Sequence, residues 1–297
     1  MPNRVVVLGY WALAAISLLW GSTWFVAKLA IAHLPALQMS GYRQMLAGAL
    51  LISYQVGRSR QWPDWKELGF HALLGFLFFT CSNGLSTFAI QFIPSYLAAL
   101  IGCLMPFAVI LLNRIFFGER VKPGVLIALA IGFAGVSLIL SSFITQMKCG
   151  GSFFFGILIT LLSVFTWSGG TLLSTRSGMN TDPFRGIGWQ MLMGGILLRL
   201  ASLPVEKQVP LSSVPVAGWI SFAYLVLVGS LLCFICYLHA LKTLPLSLVS
   251  VYVYLNPMVA LGLGVLFLGE QITVRLILGA LITLLGVYFV QRLNNAV

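Results

Sequence analysis

Carboxylates are scarce in this sequence: Asp and Glu together number six, against 17 Lys and Arg. Charged residues of both signs make up 8% of the 297 residues, while 60% are hydrophobic. A soluble domain carries about 25% charged residues. A chain this apolar cannot hide its surface from water, so the shortage of charge excludes a soluble fold. An integral membrane protein with several spans is expected.

Where the acids fall excludes more. Asp64, Glu67, Glu119, Asp182, Glu206 and Glu270 lie between apolar runs or at their ends, and none is central in one. A carboxylate proton relay through the bilayer has no residues to use, and a membrane aspartyl protease lacks its pair of acids at depth. Gly-x-Ser-x-Gly and His-Glu-x-x-His patterns are absent as well, so no enzymatic activity is expected. The five cysteines are odd in number and all but Cys149 lie in apolar runs, which excludes a disulfide framework. Cys233, Cys236 and His239 recur at intervals of three, but a four-ligand site needs a further partner that is not nearby in sequence. No metal and no cofactor are expected.

The net charge of +11 could suggest a nucleic-acid ligand. The basic residues instead sit mostly in short breaks between apolar runs, as membrane orientation requires. Nucleic-acid binding is therefore not expected.

Long apolar runs are what the sequence has in abundance. A helical span needs about 20 mainly apolar residues. Segments of that kind run near 6–31, 36–56, 68–91, 95–117 and 123–143, and again near 152–175, 184–203, 216–241, 246–268 and 273–292. They lack the alternation of barrel strands, so they read as ten transmembrane helices in an all-α integral membrane fold. The first run is too long for a signal-peptide core and reads as a retained span. With the N-terminus inside, eleven of the 17 basic residues fall on the cytoplasmic side and six on the other, so both termini are expected in the cytoplasm.

The chain also repeats itself. Met105-Pro106 leading to Gly118-Glu119 returns, offset by 151, as Asn256-Pro257 leading to Gly269-Glu270. The alignment runs without gaps from residue 82 to about 140 against 233 to 291 and superposes Pro94 on Pro245 and Gly135-Val136 on Gly286-Val287. Upstream, Gln44-Met45-Leu46 with Gly48 matches Gln190-Met191-Leu192 with Gly194, and Trp20 corresponds to Trp167. Two units result, residues 1–147 and 148–297, of five spans each. An odd number of spans turns the second upside down, and inverted repeats with a site near the midplane mark secondary transporters.

Trp20-Gly21-Ser22-Thr23-Trp24-Phe25-Val26-Ala27-Lys28, Arg43 and the Asn256-Pro257…Gly269-Glu270 pattern resemble the EamA family of the drug/metabolite transporter superfamily, over essentially the whole chain. The resemblance implies a ten-helix inner-membrane carrier in the lipid bilayer with a small-molecule substrate, often an exporter of amino acids or related metabolites. Ten spans suffice for a pathway within one chain, so function as a monomer is expected. Lipophilic drug efflux and uptake of a small metabolite stay open.

Polar groups at membrane depth are costly and usually face a cavity or a partner. Trp20, Trp24 and Lys28, four apart with Thr23 beside them, share one helix face that could take an aromatic or carboxylate-bearing solute; packing and snorkelling are the alternative. Arg43 could hold a carboxylate through two parallel bonds, or instead serve helix-end carbonyls or headgroups. The repeats differ where Tyr252, Tyr254 and Asn256 replace Ile101, Cys103 and Met105, and where Tyr237 and His239 replace Ser86 and Phe88; Asn83, in turn, is more polar than Phe234. Asn83, Trp167, Tyr237, His239, Tyr252 and Asn256 thus join the candidate lining, with interhelical bonding as the alternative. Pro106 and Pro257 each remove a helical bond, freeing carbonyls for solute or for bending. Glu119 and Glu270, near Arg120 and Arg275, are expected to fix helix ends. His239 reads as the one titratable group at depth with a suitable pKa. Transport down the solute's own gradient or by exchange follows, with neutral, zwitterionic or anionic cargo preferred.

Overall fold

The computed structural model describes residues 4–59, 62–119, 121–145, 150–177, 183–249, 251–269 and 272–294. Glu270, Arg120, Cys149 and Asp182 lie outside them. Among the described residues there is no strand, and the helices follow in order: α1 (Arg4–Ala30), α2 (Ala36–Ser59), α3 (Trp65–Ala89), α4 (Ser95–Gly102), α5 (Met105–Phe117), α6 (Pro123–Thr145), α7 (Gly151–Arg176), α8 (Pro183–Val205), α9 (Val216–Thr243), α10 (Leu246–Val249), α11 (Tyr252–Leu268) and α12 (Val274–Asn294). By length and apolar composition α1, α3, α7, α8 and α9 can each cross a membrane, and α4 with α5, bent by 41°, forms a sixth candidate. The other expected segments are helical but fall short of that measure. α2 carries Gln38, Arg43, Gln44, Gln55 and Arg58, and the described apolar stretches of α6, α11 and α12 are shorter.

Local chemistry sets the helix boundaries. Asp64 starts α3 by accepting the Glu67 amide at 2.7 Å. The Gly of each Gly-Glu pair ends its helix in the left-handed region, Gly118 at φ 68° and Gly269 at φ 64°. Only glycine takes that conformation without a steric penalty, which explains its recurrence at this point in both copies. The two prolines differ. Pro106 lies in the first turn of α5, where its missing N–H costs nothing, whereas Pro257 lies inside α11. The expected lost bond therefore exists only in the second copy. α3 and α9 share another irregularity, a π-helical turn over Phe76–Asn83 and Leu225–Leu232. Such turns change which side chains face a neighbour.

The two halves pack by exchange. α1 lies on α9 and α11 of the second half, and α7 on α3, α4 and α5 of the first. The equivalent helices α2 and α8 pack together, as do α6 and α12. Gly41 stands against Arg199, Met45 against Gly195 and Ile52 against Gly188, so residue numbers rise along α2 as they fall along α8. These helices run antiparallel. In α6 and α12 Gly132 meets Gly286, Gly135 meets Thr283 and Ile139 meets Gly279, again in opposite directions. Small residues allow this approach where lipid offers no hydrophobic drive for helix association. The outer surface is apolar: Trp11, Leu158, Ile127 and Leu266 are largely exposed. Polar groups such as Gln44, Ser40 and Ser230 are buried between the helices instead.

Candidate functional site

A cavity of about 190 Å³ opens where α1, α2, α3, α7, α9 and α11 converge. One water occupies about 30 Å³ of liquid, so the space suits a solute several times larger. The structure brings eight of the sequence candidates to its wall: Trp20, Thr23, Trp24, Arg43, Asn83, Trp167, Tyr252 and Asn256. Gln44, Phe79 and Phe234 join them.

The aromatic wall is built by the exchange of first helices. On one side Trp20 donates Nε1 to Gly229 O at 3.0 Å, and its ring packs at 5.2 Å on both Phe234 and Tyr252. On the other, Trp167 lies 4.8 Å from Phe78 and 6.5 Å from Phe79. Gly229 belongs to the π turn of α9, and a Cβ there would come within 2.9 Å of Thr23 Cγ2 and 3.1 Å of Arg43 Nη2. Its lack of a side chain lets α1 and α2 reach the same point.

Among the described residues Arg43 supplies the only charge on the wall. It is 7% exposed and donates Nε to Ser230 Oγ at 2.9 Å. Among the described residues no carboxylate lies within ion-pair distance of it. A buried guanidinium without a counter-charge is costly. Beside it Gln44 donates Nε2 to Asn83 Oδ1 at 3.1 Å, while Gln44 Oε1 has no partner among the described residues. The Asn256 amide, with its nitrogen turned toward Ser17 O and Tyr252 O, donates to both at 3.0 and 3.1 Å.

Three candidates stand elsewhere. Lys28 donates to Ile90 O and, at 3.4 Å, to Ile93 O, so its cation sits on the carbonyl end of α3. Tyr237 packs behind the wall, 5.4 Å from Trp20 and 5.7 Å from Tyr252. His239 lies away from the cavity, with Nε2 unpartnered among the described residues. A second imidazole is buried among the helices. His71 is fully buried, 3.7 Å from Glu67 Oε1 and 3.4 Å from the Gln190 amide. Pro257 frees the Val253 carbonyl, but Cys103 Sγ takes it at 3.1 Å, so it is not turned to the cavity. Glu119 pairs with Arg176 of α7.

Sequence reasoning missed Gln44 and Glu206. The signal for Gln44 is its place in the Gln44/Gln190 repeat match, a polar pair at membrane depth. The Glu206 carboxylate accepts the Leu37 and Gln38 amides at 3.0 Å and so caps α2 from the far end of α8. Among the described residues no three His, Cys, Asp or Glu side chains converge on a metal position.

An apolar helical bundle with a cation and aromatic rings around a cavity fits a membrane transporter. The chain belongs to the EamA-like transporter family, which it matches over residues 7–141 and again over 154–292. YedA of Escherichia coli (strain K12), an uncharacterized inner membrane transporter, is 30% identical over 278 residues, 92% of this chain and 87% of its own length. YoaV of Bacillus subtilis (strain 168), an uncharacterized transporter, is 25% identical over 289 residues, 95% of each chain. Protein PecM of Dickeya dadantii (strain 3937) is 26% identical over 282 residues, 93% of this chain and 89% of PecM. A solved crystal structure superposes with a TM-score of 0.65 over 99% of this chain and 100% of that one, at 18% identity, and shares the fold.

Proposed function

We propose that this protein is an alternating-access carrier that exports amino acids, aromatic or amphiphilic ones among them, or related carboxylate-bearing metabolites across the inner membrane. Arg43 carries the reading. Its guanidinium is buried, has no acidic partner among the described residues and borders the cavity. A solute carboxylate would supply the missing charge through paired N–H bonds, and the indoles of Trp20, Trp24 and Trp167 would hold an apolar or aromatic body.

The carrier comprises ten spans in two inverted units, residues 1–147 and 148–297, with both termini cytoplasmic, and works as a monomer. Support comes from the antiparallel course of the equivalent helices α2 and α8, and α6 and α12, and from the exchange of α1 and α7 between halves. In inverted-repeat carriers the halves rock about a site at their interface, and the aromatic wall draws on both halves. With no acid among the described residues of the cavity wall, flux follows the solute's own gradient or exchange.

The test is counterflow of labelled amino acids into proteoliposomes of purified protein. Saturable counterflow of carboxylate-bearing solutes, lost in Arg43→Gln, supports the reading. Counterflow limited to solutes without a carboxylate would overturn the cargo assignment and favour lipophilic efflux. Acceleration by a protonophore or external acid at fixed solute gradient would overturn the energetics.

A further inference from the structure

A second space lies on the outside of the bundle. It is a groove of about 410 Å³ whose wall is almost wholly apolar. Tyr42, Met45, Leu46 and Ala49 form one side of it, three and four residues apart on a single face of α2, and Trp219 and Phe222 of α9 form the other. Leu46 is 45% and Trp219 39% exposed, so the groove opens outward, away from the Arg43 cavity. In a chain that crosses a bilayer such an opening meets hydrocarbon.

A cation stands beside this groove. The Arg199 guanidinium lies over the Tyr42 ring, 5.1 Å from its centre, and donates Nη1 to Ser202 Oγ at 3.0 Å. Among the described residues no carboxylate pairs with it, and the nearby Glu206 is occupied by the Leu37 and Gln38 amides. A guanidinium with donors to spare suits a phosphate. From Tyr42 to Ala49 the face runs seven residues at about 1.5 Å each, roughly 10 Å, which matches the upper part of one acyl chain in a leaflet about 15 Å deep.

We propose that this groove is a binding site for an anionic phospholipid, its phosphodiester on Arg199 and one acyl chain between α2 and α9. The charge at the mouth selects the headgroup, while the apolar walls accept any chain. Because Tyr42 precedes Arg43 on α2, a lipid seated here braces the helix that presents the cavity's cation.

The test uses purified full-length protein in a mild detergent, with its melting temperature measured against added phosphatidylglycerol, phosphatidylcholine or inorganic phosphate. The wild type should gain a few degrees more from phosphatidylglycerol than from phosphatidylcholine, and nothing from phosphate. Arg199→Gln should erase the difference between the two lipids, Arg199→Lys should keep part of it, and Ala49→Phe should remove the gain from both by filling the groove. Equal gains from both lipids, a gain from phosphate alone, or an unchanged preference in Arg199→Gln would overturn the proposal. Should the variants fail to fold, a phosphatidylglycerol with a photoreactive acyl chain is used on the wild type. Labelling at Met45, Leu46 or Trp219, displaced by excess phosphatidylglycerol and not by phosphatidylcholine, supports the site; labelling elsewhere overturns it.

Discussion

The Cys103 thiol donates to the Val253 carbonyl at 3.1 Å, taking the acceptor that Pro257 leaves without its helical N–H. The bond ties the break between α4 and α5 to the proline turn of α11, across the two halves. It gives the freed carbonyl an internal partner, leaving bending as the other use of the proline. Cys103→Ala is expected to destabilise the protein by about 1 kcal/mol, the net worth of a hydrogen bond whose loss strands a buried acceptor. In a Pro257→Ala background the backbone N–H restored at that position satisfies the Val253 carbonyl, and the same cysteine change should cost much less. Melting temperatures of the four proteins form a double-mutant cycle; an equal cost of Cys103→Ala in both backgrounds would refute the link.

Arg43 separates stability from transport. Burying an unpaired guanidinium costs more than burying a neutral amide of similar length, so Arg43→Gln should melt no lower than the wild type. The same change removes the partner for a carboxylate. A charged hydrogen bond contributes about 1.5–3 kcal/mol, so apparent affinity for carboxylate solutes in counterflow should fall roughly 10- to 100-fold. A variant that loses stability in step with transport would make Arg43 a structural residue.

The repeat and its punctuation were legible in the sequence because they rest on local rules. Gly118 and Gly269 recur because a helix ends there in the left-handed region. Trp20, Arg43 and Asn256, singled out by helix spacing, by polarity in an apolar run and by where the repeats differ, come together on one cavity wall. What could not be read was which partner each polar group takes, since that depends on contacts far apart in sequence. Lys28 reaches carbonyls 62 and 65 residues away, and Glu206 reaches amides 168 and 169 residues back. Pro106 and Pro257 look identical in the alignment. Only the position of the helix break makes one harmless and the other a disruption.

The α6–α12 contact offers a test of the symmetry itself. Gly135 is set against Thr283 and Gly286 against Gly132, and the repeat offset of 151 carries each pair onto the other. A side chain at either glycine meets backbone that has nowhere to retreat. Gly135→Val and Gly286→Val should therefore destabilise by similar amounts, about 1–3 kcal/mol each, as overpacking does in tight interfaces. Gly262, whose added Cβ would meet nothing within 4 Å, is the control and should tolerate alanine. Melting temperatures in one detergent decide the matter: strongly unequal losses at the two glycines would show that the equivalence stops at the sequence.

Glu206 holds the first turn of α2 from the end of α8, with both oxygens on Leu37 N and one also on Gln38 N. Gln38 doubles the clasp, donating to Val209 O at 2.8 Å and accepting Val209 N at 3.0 Å. A negative charge here meets both the unsatisfied amides and the positive end of the helix dipole. Glu206→Gln keeps an acceptor but loses the charge and should cost about 0.5–1 kcal/mol; Glu206→Ala strands the amides and should cost more, about 1–2 kcal/mol. The contrast is with Glu119, whose pair with Arg176 is exposed and should contribute less than about 1 kcal/mol. The clasp also joins helices of opposite halves at one end of the bundle. In the proposed rocking of the halves, opening at that end breaks the clasp, so weakening it should shift the balance between the two open states. Cysteine accessibility at residues 34 and 211 in Glu206→Gln, measured with a membrane-impermeant reagent, should rise several-fold over the parent with those cysteines alone. Unchanged accessibility would leave Glu206 as a helix cap with no part in opening.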